Sequence, residues 1–309
     1  MKNTVLKSSL VVLLSFTALV AQANTSVLCN SSHNQHSFAN QIQSREHSQE
    51  LSVITWNAHK LADNQFLPDL ATLSTDSDII LIQEAMHSND LQNYFASQFD
   101  LSFSFHKSFC NKENQATGVM TASRYLLQSN LTLVSTDTEP FTFTPKVSGY
   151  SAVQIPEIGV VHIINTHGLN FNTGSKFKRQ MTEISKFIAQ LEGPVIWAGD
   201  FNTWNSDRQA HLDKNAAALG LHHLKPTNEK RNLKLDHIYV RGLELQSVEL
   251  LRHIKSSDHL PLKAVFKKAP SNLFESEQLA EQFPEETIED AIDTTDMNRL
   301  SDLHPDSDN

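Results

Sequence analysis

Cysteine and long apolar runs are both scarce in this sequence of 309 residues. It has two cysteines, too few to build a cysteine-rich zinc site. Beyond the N-terminal region, no run approaches the roughly 20 apolar residues of a membrane span, and no internal repeat is present. Apolar residues make up 39% of the chain and charged residues 19%. Most of the chain can therefore bury a core, as one large domain or two small ones.

The sequence also lacks an excess of basic residues, and its formal net charge is -10. The residues from Ser271 onward include twelve Asp or Glu and one basic residue, Arg299, so this end carries -11 and the rest about +1. The acidic total therefore does not exclude a polyanionic substrate, and the near-neutral body does not favour one. The composition of residues 270–309 predicts an acidic, disordered tail.

The first 23 residues have the pattern of an export signal. Lys2 and Lys7 give a positive start, and Leu10 to Val20 is an apolar run too short to span a bilayer comfortably. Ala21-Gln-Ala23 is a small-residue cleavage site. The pattern predicts cleavage after Ala23 and a periplasmic or secreted protein. An uncleaved membrane anchor is the alternative.

Residues 24–50 are polar and predict a flexible N-terminal arm. The arm contains Cys29, and the second cysteine, Cys110, lies in a predicted surface loop. In an oxidising compartment the two could pair and tie the arm to that loop. Two unpaired thiols are the alternative, and the sequence leaves both open.

Short runs rich in β-branched residues predict strands in a folded domain over residues 51–269. The runs are Ser52–Asn57, Ile79–Glu84, Gly118–Ser123, Ser151–Pro156, Val160–His167, Val195–Asn202, Leu235–Val240 and Leu260–Phe266. Leu101–Phe105 and Phe141–Phe143 alternate apolar and polar residues, which predicts half-exposed strands. A lipid-contacting aromatic surface is the alternative for these two stretches.

Helical spacing of apolar residues predicts helices over 175–191 and 206–219. Ser175 is the predicted N-cap of the first helix, and Ser206 or Asp207 that of the second. Gly193 and Gly220 follow the two helices and can end them. Strands with interleaved helices predict an α/β protein with layered sheets.

Several predicted strands end in an acid, an amide or a histidine. These residues are Asn57, Glu84, His167, Asp200, Asn202, Asp258 and His259. Any one of them alone is more often a hydrogen-bonding strand end than a catalytic group. Strand ends at one edge of a sheet bring together side chains from distant parts of the sequence, so the group as a whole favours an active site.

The motifs around these residues occur in the order found in a known family. They are Thr55-Trp-Asn57, Ile82-Gln-Glu84, Asn165-Thr-His167, Gly199-Asp-Phe-Asn202, Leu235-Asp-His237 and Ser257-Asp-His-Leu-Pro261. The chain resembles the endonuclease/exonuclease/phosphatase (deoxyribonuclease I-like) superfamily over residues 51–267, and most of all a bacterial branch whose members are largely uncharacterised. The resemblance implies a four-layer α/β sandwich of two face-to-face β-sheets flanked by helices.

The resemblance also implies a divalent-metal site and a proton-transferring pair. Glu84 is the first expected metal ligand, with Asn57 and Asp258 beside it, and Mg²⁺ is the expected ion, with Mn²⁺ or Ca²⁺ as alternatives. His259 is expected to act as general base or phosphate contact. Asp236 is expected to orient His259 and raise its pKa.

Three further catalytic roles follow from the same resemblance. Asp200 is expected to orient or deprotonate the attacking water, and Asn202 to hydrogen-bond the phosphate or a metal. His167 is expected to donate to the phosphate or the leaving group. Related enzymes support this histidine with a glutamate, for which Glu113 is only a poor match.

Nearby residues have plainer interpretations. His237 follows Asp236 in a strand and should point to the opposite face, which favours a structural role. Lys176, Lys178 and Arg179 could contact a polyanion or form the solvated face of a helix. The contiguous Ser257-Asp-His259 cannot form a serine-hydrolase triad, since triad members converge from separate segments.

These patterns predict an exported, metal-dependent phosphodiesterase that acts on nucleic acid as a monomer without a stable membrane anchor. A phospholipase C or sphingomyelinase activity is the first alternative. A phosphatase of sugar or inositol phosphates is the second. A non-catalytic binding protein that kept the fold is the alternative of another class.

Overall fold

The computed structural model describes residues 26–29, 32–38, 50–87, 101–156 and 158–268. The predicted signal peptide (1–23) and acidic tail (270–309) lie outside these ranges. Within the described residues, no helix has both the length and the apolar character needed to cross a membrane.

Thirteen strands in these ranges form two sheets. The first sheet has the order β1-β4-β5-β3-β2-β13-β12, and the second has the order β10-β11-β9-β8-β7-β6. The strands are β1 Gln35–Phe38, β2 Glu50–Asn57, β3 Ile79–Met86, β4 Ser102–Cys110, β5 Ala116–Ser123, β6 Leu127–Thr138, β7 Pro145–Ile155, β8 Gly159–His167, β9 Val195–Asp200, β10 His222–His223, β11 Asp236–Arg241, β12 Leu243–Leu250 and β13 Leu262–Lys268.

The helices are α1 Ser26–Cys29, α2 Phe66–Thr75, α3 Gly174–Ile188 and α4 Ser206–Ala218, with a 3-10 turn at His59–Leu61. In α3 and α4 the observed N-cap lies on the N-terminal side of the predicted one. The N-cap of α3 is Thr173 rather than Ser175. That of α4 is Asn205, whose side chain accepts a hydrogen bond from Arg208 N. Asparagine is as good a cap as the serine and aspartate that follow it, so composition alone did not fix the position.

Alternate residues of each central strand face different layers, which explains the four-layer architecture. Val53 and Leu81 of the first sheet pack against Ile163 and Ile196 of the second. On the outer face of the first sheet, a cluster includes Trp56 and Phe66 of α2. On the outer face of the second sheet, α3 and α4 contribute Phe177, Met181 and Leu212 to a cluster with Trp197. The predicted deoxyribonuclease I-like sandwich is therefore confirmed.

Two parallel strand pairs place the functional residues at one edge. β2 pairs with β3, and β8 pairs with β9, both in parallel. Parallel neighbours end at the same side of a sheet, so Asn57 lies beside Gln83 and His167 lies opposite Asp200. The antiparallel β11 begins where β9 ends, which puts Asp236 opposite Asp200.

One prediction about local structure is wrong. Phe141–Phe143 forms the turn between β6 and β7, not a strand, and Phe143 N donates to Glu139 O over 3.0 Å. Within the described part of the arm predicted to be flexible over 24–50, α1 and β1 form and β1 pairs with β4. Cys29 and Cys110 form a disulfide, which resolves the alternative left open by the sequence and ties this segment to β4.

Candidate active site

The first sheet contributes Asn57 and Glu84 at the ends of neighbouring strands. Asn57 Nδ2 donates to Asp200 Oδ2 over 2.9 Å, which links the two sheets across the site. Its Oδ1 accepts from His59 N at 2.9 Å. Glu84 has a φ of +49°, a conformation that costs energy in a non-glycine residue. It lies at an irregularity in the pairing of β3 with β5, between Ile82 and Ala85.

The second sheet contributes His167, Asp200 and Asn202. Asp200 Oδ1 accepts from Asn202 N at 3.0 Å, and Asn202 Nδ2 donates to Gly168 O at 3.0 Å. Gly199 has a φ of +147°, and a Cβ there would lie 2.0 Å from Thr166 O. Only glycine allows β9 to approach β8 this closely, so Gly199 is the residue that permits Asp200 and His167 to meet.

Asp236 and His259 form a buried pair from opposite sides of the same edge. His259 Nδ1 lies 2.9 Å and 3.0 Å from the two carboxylate oxygens of Asp236. Trp56 Nε1 donates to His259 O at 3.0 Å, and Arg231 Nη1 donates to Asp236 Oδ2 at 3.2 Å. These contacts leave His259 Nε2 facing Asp200, whose Oδ2 is 4.0 Å away.

Burial and neighbouring charges shift the pKa values of this cluster. Burial disfavours the charged imidazolium, but the carboxylates of Asp236, Asp200 and Asp258 together outweigh it and raise the pKa of His259 to about 10. Burial, followed by the charge of Asp236, raises the pKa of Asp200 to about 6, although the hydrogen bonds from Asn57 and Asn202 oppose the rise. The site therefore combines a protonated imidazole with a carboxylate that titrates close to neutral pH.

Lys146, which the motifs did not identify, lies at the centre of the site. Its Nζ is 3.1 Å from His167 Nε2. Burial lowers the pKa of Lys146, and the carboxylates of Glu84, Glu139 and Asp200 oppose this. Burial and then the Lys146 charge hold the pKa of His167 well below its usual value, so His167 is neutral here. The sequence alone gives no signal for this role, since Lys146 is simply a polar residue near the start of β7.

Glu84 lies between two basic groups at the open side of the cluster. Its Oε1 is 3.9 Å from His167 Nε2, and its Oε2 is 3.7 Å from Lys60 Nζ. Glu113, considered as a support for His167, is instead exposed in the turn between β4 and β5. The structure therefore brings Asn57, Glu84, His167, Asp200, Asn202, Asp236 and His259 together through a continuous set of contacts.

Asp258 is the predicted site residue that is least engaged with the others. Its side chain is 59% exposed, and Oδ1 is 3.6 Å from His59 Nδ1. His237 is buried on the opposite side of β11 from Asp236, 2.6 Å from Thr203 Oγ1 and 2.9 Å from His223 Nε2. This network fits the structural role expected for His237.

The basic residues of α3 engage carboxylates of their own protein. Lys176 and Arg179 lie 3.8 Å and 2.7 Å from the carboxylate of Asp137, and Lys178 lies 3.0 Å from Asp207. The solvated, ion-paired helix face is thus the interpretation that the structure supports for them.

The sequence of the folded region identifies the family of the chain. Residues 54–259 match the sequence profile of the Endonuclease/Exonuclease/phosphatase family. The chain belongs to this family. Its similar relatives include a UPF0294 protein from Vibrio cholerae serotype O1, 27% identical over 224 residues that cover 71% of this chain and 78% of the relative. A UPF0294 protein from Vibrio vulnificus is 28% identical over 224 residues, covering 70% and 76%.

Solved structures of the endonuclease/exonuclease/phosphatase family share the fold. A member from Beutenbergia cavernae superimposes with a TM-score of 0.59 at 14% identity, covering 72% of each chain. The catalytic domain of human Nocturnin with a bound sulfate anion gives 0.54 at 17% identity, covering 76% of this chain and 98% of that one. At these identities the likeness supports the sandwich fold and no finer function.

Endonuclease/exonuclease/phosphatase family members are generally hydrolases of phosphate esters that use divalent metals, and the residues present here fit such an ion. Ligand atoms of Asp200, Asp236 and His259 all lie within 4.8 Å of one another. His259 is engaged with Asp236, so the oxygen donors of the cluster, those of Asn57 and Glu84 included, are the better ligands for a hard cation.

Proposed function

We propose that this protein is an exported, divalent-metal-dependent phosphodiesterase that acts on nucleic acid. The observation that supports it best is the linked set Asn57–Asp200 and Asp236–His259, with His259 Nε2 4.0 Å and His167 Nε2 3.7 Å from the same Asp200 oxygen. Carboxylate, amide and imidazole groups converging from both sheets are the groups that in-line attack of water on a phosphate ester requires.

Each residue has a role that follows from its contacts. Asp236 fixes the ring of His259 so that Nε2 can donate to a phosphate oxygen. Asp200, held by Asn57 and Asn202, is placed to orient the attacking water and accept its proton. His167 and Lys146 together can donate to the phosphate or to the leaving oxygen, which carries negative charge as the bond breaks.

The metal would be held by oxygen atoms of Glu84 and Asn57, with Asp258 as a further predicted ligand after a side-chain movement. The bound cation would polarise the phosphoryl group and stabilise the leaving oxygen. Mg²⁺ is the proposed ion because Mg²⁺ sites typically use one or two carboxylates together with water and phosphate. Mn²⁺ and Ca²⁺ are the alternatives to test.

Export is supported by the disulfide between Cys29 and Cys110, since disulfides persist in oxidising compartments outside the cytosol. The signal-peptide pattern of residues 1–23 gives the same expectation. We therefore propose that the protein is periplasmic or secreted after cleavage behind Ala23. That it acts as a monomer stays a prediction.

The test is hydrolysis by the mature chain beginning at Asn24. It is incubated with plasmid DNA, RNA, sphingomyelin and a phosphomonoester, with Mg²⁺, Mn²⁺ or Ca²⁺, and then with a chelator. We expect chelator-sensitive cleavage of nucleic acid. Asp200→Asn should lower it by orders of magnitude, whereas Asp207→Asn, which changes an exposed aspartate on α4, should not.

Other outcomes separate the alternatives. Preferential hydrolysis of sphingomyelin or of the phosphomonoester would replace the proposed substrate while keeping the enzyme class. No hydrolysis of any phosphate ester above the level of Asp200→Asn would refute the enzymatic proposal and favour a binding protein.

A further inference from the structure

A cavity of about 230 Å³ opens beside the candidate active site. Its lining includes Glu84, Lys146 and His167 of the site together with Phe141 and Phe171. The cavity is therefore continuous with the groups proposed to act on the phosphate. It is smaller than the roughly 300–1,000 Å³ of pockets for drug-sized ligands, so it suits a single ring system.

Phe141 and Phe171 are unusually exposed for aromatic side chains. Their exposed fractions are 82% and 70%. An exposed phenylalanine forgoes the stabilisation that burial of its ring would give, and exposed apolar rings grouped at one place commonly mark a binding site. The two rings come from different connections, β6–β7 and β8–α3, and share one cavity.

The backbone that carries these rings is held firmly. The Glu139 carboxylate accepts from Asn170 N at 2.7 Å and from Phe171 N at 3.1 Å, which joins the two connections. The buried guanidinium of Arg208 donates to the carbonyls of Leu169, Asn170 and Asn172. The exposure of Phe171 is thus imposed by an ordered frame, as expected of a preformed binding surface.

We propose that this cavity binds one unpaired nucleobase next to the scissile phosphate, stacked against Phe141 and Phe171. The inference rests on the proposed nuclease function and specifies its substrate as single-stranded nucleic acid. Base stacking on aromatic side chains is the usual way in which proteins hold single strands without a strong sequence preference. The lining also contains the hydroxyls of Ser108, Thr117 and Thr142. Ser108 Oγ donates to Pro145 O over 2.6 Å and keeps its acceptor capacity for a donor on the edge of a base.

The geometry favours a base over a membrane surface. Contact with a lipid surface requires rings that protrude from the protein, and it does not require a cavity lined by charged groups. Phe143 is 78% exposed in the same turn as Phe141 but is not among the residues that line the cavity. It provides a matched control, since its exposure is similar and its contact with a base is not expected.

The experiment measures steady-state cleavage of a single-stranded oligonucleotide with Mg²⁺. Phe141→Ala and Phe171→Ala should each raise KM by about tenfold, the lower part of the range for loss of one stacking ring, with kcat little changed. Phe143→Ala should keep the wild-type KM. Equal thermal transitions would show that all three variants are folded.

A base-free nucleotide at one position of the oligonucleotide supplies the second arm. It should reduce wild-type cleavage at the neighbouring phosphate at least as much as the loss of one ring does. It should have no further effect on the double change Phe141→Ala, Phe171→Ala, because the base then has no stacking partner left to lose. Independent, multiplying effects would overturn the proposal.

Failure of the subsite can be told apart from failure of the proposed function. If the wild type cleaves the oligonucleotide, Asp200→Asn does not, and Phe141→Ala and Phe171→Ala keep the wild-type KM, then only the subsite is refuted. If the wild type cleaves no phosphodiester, both proposals fail. If Phe141→Ala and Phe143→Ala equally lose binding to phosphatidylcholine–sphingomyelin vesicles, with unchanged KM for the oligonucleotide, then the rings contact membrane and the base subsite is refuted.

Discussion

His106, which is not one of the strand-end residues of the candidate site, predicts a measurable dependence of stability on pH. The side chain is fully buried between the sheets, with Nδ1 2.8 Å from Thr132 Oγ1 and Nε2 3.0 Å from Ser104 Oγ. Burial lowers the pKa of His106 from its ordinary 6.5 to about 4. The folded protein therefore keeps this imidazole neutral where the unfolded chain takes up a proton.

The sign and the size follow from proton linkage. Below pH 6.5 the unfolded state binds the additional proton, so the free energy of unfolding falls as the pH drops toward 4. At about 1.4 kcal/mol per pH unit, the interval from 6.5 to about 4 corresponds to roughly 3 kcal/mol. At pH 4.5, most of this stability, about 2–3 kcal/mol, is already lost.

Urea unfolding of the wild type and His106→Gln at pH 7.5 and pH 4.5 measures this effect. The variant is less stable at pH 7.5, but its disadvantage should shrink by about 2–3 kcal/mol at pH 4.5, because glutamine does not titrate. His253→Gln, a change of an exposed histidine, is the control. A disadvantage of His106→Gln that is the same at both pH values would refute the reasoning.

Three further predictions concern stability, each measured by urea unfolding at neutral pH. Gly149→Ala should lower the free energy of unfolding by about 1–3 kcal/mol, because a Cβ would lie 2.3 Å from His106 Cδ2. Gly174→Ala is the control, since its Cβ would have a nearest contact of 3.4 Å. Equal stability of the two variants would contradict the prediction. The double change Cys29→Ser, Cys110→Ser should lower the free energy of unfolding by about 2–4 kcal/mol, because the disulfide closes a separation of 81 residues. The reduced wild type should be as unstable as this variant. A reduced wild type as stable as the oxidised protein would count against the prediction. Arg208→Met should lower the free energy of unfolding by about 3 kcal/mol or more, because carbonyls of the 169–172 loop and of Asn202 lose a buried charged donor. If the amides of that loop exchange hydrogen as slowly in the variant as in the wild type, the loop does not depend on Arg208.

The meeting of the strand-end residues could be predicted because it depends on local patterns. Apolar runs ending in Asn57, Glu84, His167 and Asp200 were visible, and parallel pairing carries such ends to one edge. Gly199 precedes Asp200 in the most specific of these motifs, and the structure shows why no other residue fits there.

Lys146, Glu139 and Arg208 could not be predicted, because their importance arises from contacts between distant segments. Arg208 reads as an ordinary polar residue of an amphipathic helix, yet it is fully buried under the loop after β8. Its partners are backbone carbonyls, which no sequence pattern displays. Lys146 acquires its role from the approach of β7 to β8.

The error at Phe141–Phe143 has a different cause. Three alternating residues are too few to separate a strand from a turn. Pro140, directly before them, was a turn signal that the alternation outweighed. The turn joins two long strands, β6 and β7. The polar sequence of β6 gives no strand pattern, so the sequence did not show that a turn was needed here.

The short strand β1 has a consequence for the solubility of the protein. It covers the outer side of β4 over residues 35–38, opposite Phe103–His106. An uncovered strand edge offers free backbone groups to other copies of the chain and promotes aggregation. A chain that loses the residues before Glu50 would present the longer edge of β4 in place of the four-residue β1, so we expect it to aggregate more readily than the chain that keeps this segment.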